Sequence, residues 1–308
     1  MTTTFFRFKK LVKRFIKGIL PNFLYKGILT PYRLFFSYIP NYLHKNHINN
    51  VFKNRQIITI KNSQIKIIVD PKNGGTDAEL FLNKERDTDV IDIMRSQLNH
   101  GSVFLDIGAN IGYETLWGAS LVGNTGHVYS FEPLPNLVNQ IKESLSLNNF
   151  SNLSIIPKAA SNTEGTANIH IHDEDAGLTS LTNTKNSSKT VTVTLTTINK
   201  ELENIQRLDV IKLDVEGHEY EALLGGKETI EKYKPTIIFE FSPHLYEKDY
   251  RGKSVNILYF LDSLGYSIYS IENLYKKIHI ENFNGLIEKI LVDETIPNFV
   301  ATIFPIII

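Results

Sequence analysis

From residue 103 onward the hydrophobic pattern switches back and forth between two periods. Short apolar runs at 103–107, 127–131, 153–156, 209–213 and 236–241 predict strands. Helical spacing predicts helices near 112–122, 135–147, 218–232 and 254–264. That alternation implies a mostly parallel sheet covered by helices on both faces. Residues 166–172 (TANIHIH) and 189–196 (KTVTVTLT) alternate polar with apolar. They predict a β-ribbon inserted between the third and fourth core strands, with the polar stretch 173–188 as its loop. A last strand pair is expected near 266–271 and 299–304.

The pattern upstream is different. Residues 56–69 alternate around Asn62-Ser63 and predict a β-hairpin, and 77–98 predict a helical segment. Residues 21–50 are aromatic and punctuated by Pro and Asn, as in short helices and turns. In residues 5–20 (FFRFKKLVKRFIKGIL), Phe8, Leu11, Val12, Phe15, Ile16 and Ile19 share one helical stripe, with Lys and Arg elsewhere. This is a basic amphipathic helix, ended by Gly18 and Pro21. Two readings fit it: peripheral contact with an anionic membrane, or a helix docked on its own body. Lysines interrupt its apolar positions and no small-residue cleavage site follows, so it does not read as a secretory signal.

Charge sharpens the division. Residues 1–69 hold 13 Lys and Arg and no acid, while beyond them 33 acids face 20 basic residues. The expected organisation is a basic extension over 1–70 and a catalytic body over 71–308. The chain has no cysteine, which excludes disulfides, thiol catalysis and thiolate zinc sites and agrees with a cytoplasmic protein. No apolar run approaches the roughly 20 residues of a membrane-spanning helix. The basic arm carries no nucleic-acid-binding signature and the body is acidic, so nucleic acid is not an expected partner.

The candidate chemistry begins at Asp106-Ile-Gly-Ala-Asn-Ile-Gly112, between a strand and a helix start. Glycines there bring backbone N–H groups close to a small ligand. Glu132 ends the next strand, where an acid suits the two hydroxyls of a ribose. Both features point to a nucleoside-bearing cofactor. A dinucleotide loop needs G-x-G-x-x-G, but here the spacing is G-x-x-x-G and Asn110 stands where the middle glycine would be.

Further segments recur in order: Val128-Tyr-Ser-Phe-Glu-Pro133, Pro157-Lys-Ala-Ala-Ser161, Ile211-Lys-Leu-Asp-Val-Glu-Gly-His-Glu219 and Lys234-Pro-Thr-Ile-Ile-Phe-Glu240. With the glycine loop, this series resembles the FkbM family of S-adenosylmethionine-dependent methyltransferases over roughly residues 75–303. The resemblance implies an α/β, Rossmann-like class I methyltransferase fold with an antiparallel last strand. It implies O-methylation of a sugar, glycan or related small molecule, with a protein or lipid acceptor, or a non-catalytic binding module, as alternatives. S-adenosylmethionine would rest on Gly108, Ala109, Asn110 and Gly112, with Asp106 toward its amino-acid portion and Glu132 on its ribose. The 157–162 turn would lie along the adenine edge.

Methyl transfer from a sulfonium is an in-line displacement, so the protein chiefly aligns the acceptor and takes its proton. Two segments fall at the carboxyl ends of adjacent strands, Asp214 to Glu219 and Glu240 to His244. His218 or His244 is a candidate general base, because imidazole titrates near neutrality. Asp214 or Glu216 is the alternative. Asp214, Glu216 and Glu240 are also candidate ligands for a divalent cation. His170 and His172, near Asp173 and Asp175, read as a solvated ribbon face, and Trp117 reads as packing.

Overall fold

The computed structural model describes residues 55–172, 175–180, 189–241, 250–271, 277–278, 283–293 and 297–304. The basic helix expected over 5–20 and the turns of 21–50 lie outside them. A hairpin of β1 (Gln56–Thr59) and β2 (Lys66–Val69) leads through a short 3-10 turn into α1 (Gly75–Asn83) and α2 (Thr88–Gln97). Next come β3 (Val103–Ile107), α3 (Tyr113–Val122), β4 (His127–Phe131), α4 (Pro135–Ser146) and β5 (Leu153–Ile156). Four strands follow: β6 (Ala159–Ala160), β7 (Gly165–His172), β8 (Asp175–Ser180) and β9 (Lys189–Thr196). The chain then runs α5 (Ile198–Glu201), β10 (Val210–Leu213), α6 (Glu219–Leu224), α7 (Lys227–Tyr233), β11 (Thr236–Glu240) and α8 (Tyr250–Ser263). It ends with β12 (Ser267–Ser270), β13 (Lys277–Ile278), α9 (Phe283–Asp293) and β14 (Asn298–Thr302).

The central sheet has the order β13-β12-β14-β11-β10-β3-β4-β5. The five strands β5, β4, β3, β10 and β11 pair in parallel, and β14 runs antiparallel to both β11 and β12. This is the expected Rossmann-like fold with its antiparallel last strand. The chain winds outward from β3 through β4 to β5, then returns to lay β10 on the other side of β3. Strand order reverses there, and in open α/β sheets ligands bind at that crevice.

Packing follows from strand alternation. In β3, Phe104 joins the core under α3, while Leu105 and Ile107 join the core on the opposite face with Ile211, Leu213 and Phe239. α4 buries Leu137, Val138, Ile141 and Ser144 along one stripe, with Pro135 at its first turn. α3 is buried nearly all round. The hairpin packs on α4, and its Ile58, Ile60, Ile65, Ile67 and Val69 enter the core of α3. No helix among the described residues is long and apolar enough to cross a membrane.

Three expectations about the backbone need correction. The stretch 173–188 is not all loop, because Asp175–Ser180 forms β8, paired antiparallel with β7 past an irregularity at Ile171/His172. Ladder bonds suffice for such an edge strand, so its sequence needs no apolar alternation. The inserted sheet has the order β6-β9-β7-β8, and β8 runs alongside α1. The helix expected over 77–98 breaks at Lys84 and Asp87, both in the left-handed region. The helix expected over 218–232 breaks at Gly225-Gly226, where a Cβ on Gly225 would lie 1.9 Å from the Ser161 carbonyl oxygen.

Candidate active site

The glycine loop is held through its backbone N–H groups. Gly108 and Ala109 both donate to the Phe131 carbonyl at 3.0 Å, which ties the loop to the end of β4. Gly108 has φ +86°, and a Cβ there would lie 1.9 Å from the Asp214 carbonyl oxygen. Only glycine fits a turn pressed this closely against the end of β10. Asn110 is left-handed, with φ 53°, and Gly112, with φ 88°, caps α3. Glu132 is buried, and its two carboxylate oxygens accept from the N–H groups of Asn110 and Leu134, each at 2.9 Å. Burial pushes its carboxyl up to about 8 against the pull of those two bonds.

Asp106 is fully buried on the α3 side of β3, in register with Ser130 and Lys212. One of its oxygens accepts from the Thr115 hydroxyl, and the other has no hydrogen-bond partner. Burial raises its carboxyl to about 7, although the Lys212 charge pulls the other way.

The ends of β10 and β11 carry charged side chains. Lys212 is buried and donates to Asp214 at 2.8 Å. Asp214 and Glu240, at the ends of adjacent parallel strands, share a hydrogen bond. Two carboxyls can bond only through a proton, and the environment assigns it. Burial pushes both groups up, but Lys212 and the bond from Glu240 bring Asp214 down to about 2. Glu240 is raised well above the carboxylate range by burial and by the charges of Asp214 and Glu216. The carboxylate oxygens of Asp214, Glu216 and Glu240 lie within 4.8 Å of one another, the one such group found among the described residues.

The rest of the segment turns elsewhere. Glu216 (φ 51°) and Gly217 (φ 94°) make a left-handed turn. Glu219 is buried and accepts from the Gly217 N–H at 3.0 Å, closing the start of α6. His218 meets Ser161 with Nε2 at 3.0 Å, and Nδ1 lies 3.8 Å from Glu221. The ring therefore links the turn after β6 to α6. His244 lies outside the described residues. His170 Nδ1 lies 3.5 Å from the Thr190 hydroxyl on the neighbouring strand.

Two charged residues escaped the sequence reading. Arg86 donates to Asp87 at 2.7 Å and also to Thr76, whose hydroxyl lies 3.5 Å from Asn110 Nδ2. Left-handed residues on either side, Lys84 and Asp87, turn Arg86 toward the glycine loop. Glu114 is buried in the first turn of α3. Its carboxyl is raised by burial and drawn back by Lys212 and Arg86. An acid in the first turn of a helix buried nearly all round was the available signal.

The Methyltransferase FkbM domain matches residues 106–268, more than half of the chain. Over 59 residues the chain is 39% identical to a protein-L-isoaspartate O-methyltransferase of Methanothrix thermoacetophila, covering 19% of this chain and 28% of that protein. Its counterpart in Ignicoccus hospitalis is 33% identical over 61 residues, covering 20% and 29%. The chain thus spans less than a third of the length of these curated relatives. Among solved structures it is similar to methyltransferase FkbM from Methylobacillus flagellatus, with 15% identity, 66% of this chain and 44% of that one covered, and a TM-score of 0.41. It is also similar to a putative methyltransferase from Streptococcus mutans solved with SAH, with 10% identity, 71% and 98% covered, and a TM-score of 0.42. The domain match, together with the glycine loop and the Asp214–Glu219 segment that it contains, means that this chain belongs to the FkbM methyltransferase family.

Proposed function

We propose that the chain is an S-adenosylmethionine-dependent O-methyltransferase acting on a hydroxyl of a sugar, a glycan or a related small molecule. The observation that carries this reading is the Asp214–Glu240 carboxyl pair, pinned by Lys212 and one backbone contact from the glycine loop. The residues present fit the cofactor. Among the described residues, the carboxyls of Asp87, Asp106, Glu114 and Asp214 outnumber the cations Lys212 and Arg86 beside them, which suits a molecule with net positive charge. Each Glu132 oxygen holds one N–H and keeps a lone pair for a ribose hydroxyl.

When bound, S-adenosylmethionine supplies an electrophilic methyl group. The chain's own residues then align the acceptor and receive its proton. Asp214 accepts the hydrogen bond of the acceptor O–H. That oxygen becomes strongly acidic as its new bond forms, so even a carboxylate of low pKa takes the proton. Glu240, kept protonated, donates to Asp214 and fixes its orientation.

Calorimetry with S-adenosylmethionine tests the first step, and absence of binding overturns the reading. Methyl-labelled cofactor incubated with separated cell fractions tests the acceptor. Label in glycan or small-molecule fractions is expected, and label confined to protein or lipid overturns the acceptor assignment.

A second reading rests on the Asp214, Glu216 and Glu240 oxygens, which lie within 4.8 Å of one another and are of a type that suits a hard divalent cation. Loss of turnover with a chelator, restored by Mg²⁺, supports it; unchanged turnover removes it. We also propose that the enzyme works in the cytoplasm, with residues 5–20 resting on anionic lipid. Equal flotation of full-length and arm-deleted protein with anionic vesicles would remove that role.

A further inference from the structure

A cavity of about 200 Å³ opens between the β1–β2 turn, α2 and α3. Its floor is Ile91, Tyr113 and Trp117, all buried. Its rim is polar: Lys61 from the hairpin turn, Glu85 from the bend before α2, and Thr88, Asp92 and Arg95 from α2. Asp214, Glu216 and Glu240 do not line it, so what it holds is not the group that receives the methyl.

Charge decides the class of ligand. The ions of the rim are already paired, Lys61 with Glu85 at 2.5 Å and Arg95 with Asp92 at 3.0 Å. An anion or a cation entering here meets as much repulsion as attraction. Each pair instead offers N–H donors beside carboxylate acceptors, and a hydroxyl is both donor and acceptor. Arg95 also lies over the Trp117 ring, 4.6 Å from its centroid, which holds the guanidinium at the rim. An aromatic and aliphatic floor under such a rim fits a pyranose ring, apolar on its C–H face and edged with hydroxyls. The volume falls below the roughly 300 Å³ at which pockets for drug-sized ligands begin, so a single ring fits and a nucleotide does not.

We propose that this cavity is a subsite for one neutral pyranose ring of a glycan acceptor, separate from the hydroxyl that is methylated. This rests on the glycan reading above. Tyr113 joins the subsite to the chemistry. It follows Gly112 directly, and its hydroxyl accepts from the Arg86 N–H at 3.3 Å. A glycan anchored there is held against the first turn of α3, and the binding energy of a remote ring serves to position the reacting one.

Trp117 is the chain's single tryptophan, so its emission reports on this cavity without a second indole. The full chain is titrated with the methyl pyranosides of glucose, mannose, galactose, rhamnose and N-acetylglucosamine. At least one should change Trp117 emission saturably, with half-saturation at roughly millimolar concentration, as suits a single ring. Thr88→Val and Asp92→Ala, both at exposed positions of α2, should each weaken that ligand about threefold to tenfold, the worth of one hydrogen bond. Glucose 6-phosphate and glucosamine should bind no better than methyl glucoside. No saturable change with any neutral pyranoside, a preference for a charged sugar, or unchanged affinity in both variants overturns the subsite. Methyl-labelled cofactor separates it from the reading it rests on. Glycan labelling by a chain whose Trp117 ignores every pyranoside removes the subsite and leaves the function. Pyranoside binding by a chain that labels no glycan overturns the glycan reading itself.

Discussion

The two halves of the cleft are made of different material. The half proposed for the cofactor is organised through backbone: Gly108, Ala109, Asn110 and Leu134 present N–H groups to Phe131 and Glu132. The half proposed for the acceptor is side-chain charge: Lys212, Asp214, Glu216 and Glu240 gather from two strand ends and a turn. A backbone half is fixed once the sheet forms. A charged half is fixed only by its own balance, because each buried ion needs its partner. The first should thus respond to substitution mainly in stability and cofactor affinity, and the second mainly in turnover.

The halves touch at Gly108, so the largest effect is expected there. Gly108→Ala adds a Cβ 1.9 Å from the Asp214 carbonyl oxygen at a φ of +86°. The loop or the end of β10 must move, costing about 4 kcal/mol or more. Denaturant unfolding should show that loss together with weakened cofactor affinity. A variant of near-native stability and affinity would mean that the two halves are not pressed together.

The same contrast decides what the sequence could disclose. Gly108, Gly112, Glu132, Asp214 and Glu240 were legible because each lies at a strand end or in the turn from a strand into a helix, where the strand–helix pattern predicts a ligand. Arg86 and Glu114 were not. Arg86 arrives through a bend whose left-handed residues are Lys84, which gives no turn signal, and Asp87, whose turn signal the helical spacing over 77–98 outweighed. Glu114 sits in a helix whose apolar run argues for core. The strand Asp175–Ser180 was hidden because its sequence, DAGLTS, carries a single large apolar residue and no apolar alternation. The break at Gly225-Gly226 did carry a signal, the glycine pair, which helical spacing over 218–232 outweighed.

The next expected effect belongs to the cofactor half and to pH. Glu132 rises through burial to about 8 in the fold from an ordinary carboxylate value of 4.5. Between those values the folded chain holds a proton that the unfolded chain has lost, so stability falls as pH rises. Glu132 alone should remove about 3 kcal/mol from the free protein between pH 5 and 8. Asp106, raised to about 7, adds in the same direction. Glu132→Gln should flatten most of this slope in unfolding measurements. A slope equal in variant and wild type would place the titration elsewhere.

Smaller in free energy, but sharper in kind, is Asp214→Asn. The amide still accepts from Lys212 but no longer takes a proton or opposes the buried charge. Turnover should fall about a hundredfold, roughly 2.7 kcal/mol of barrier. S-adenosylhomocysteine affinity should stay within about threefold, because the glycine loop touches the Asp214 backbone and not its carboxyl. A loss of affinity as large as the loss of turnover would erase the division between the halves.

The smallest effect is expected at His218, and it separates a base from a link. If the imidazole took the acceptor's proton, His218→Ala should cost turnover about as much as Asp214→Asn, and the rate should decline below the imidazole pKa. The contacts support the other role. Nε2 meets Ser161 in the turn after β6, Nδ1 faces Glu221 on α6, and the Ser161 N–H is anchored on Thr196 of β9. The ring ties the turn expected along the adenine edge to the segment that carries Asp214. Its removal should cost about 1 kcal/mol, the worth of one hydrogen bond, in stability or in the KM for cofactor. Turnover at saturating cofactor should stay within about threefold, with the pH profile unmoved. His218→Gln, which keeps a donor toward Ser161, should restore the KM. A KM that stays high in His218→Gln while turnover collapses would return the ring to the chemistry.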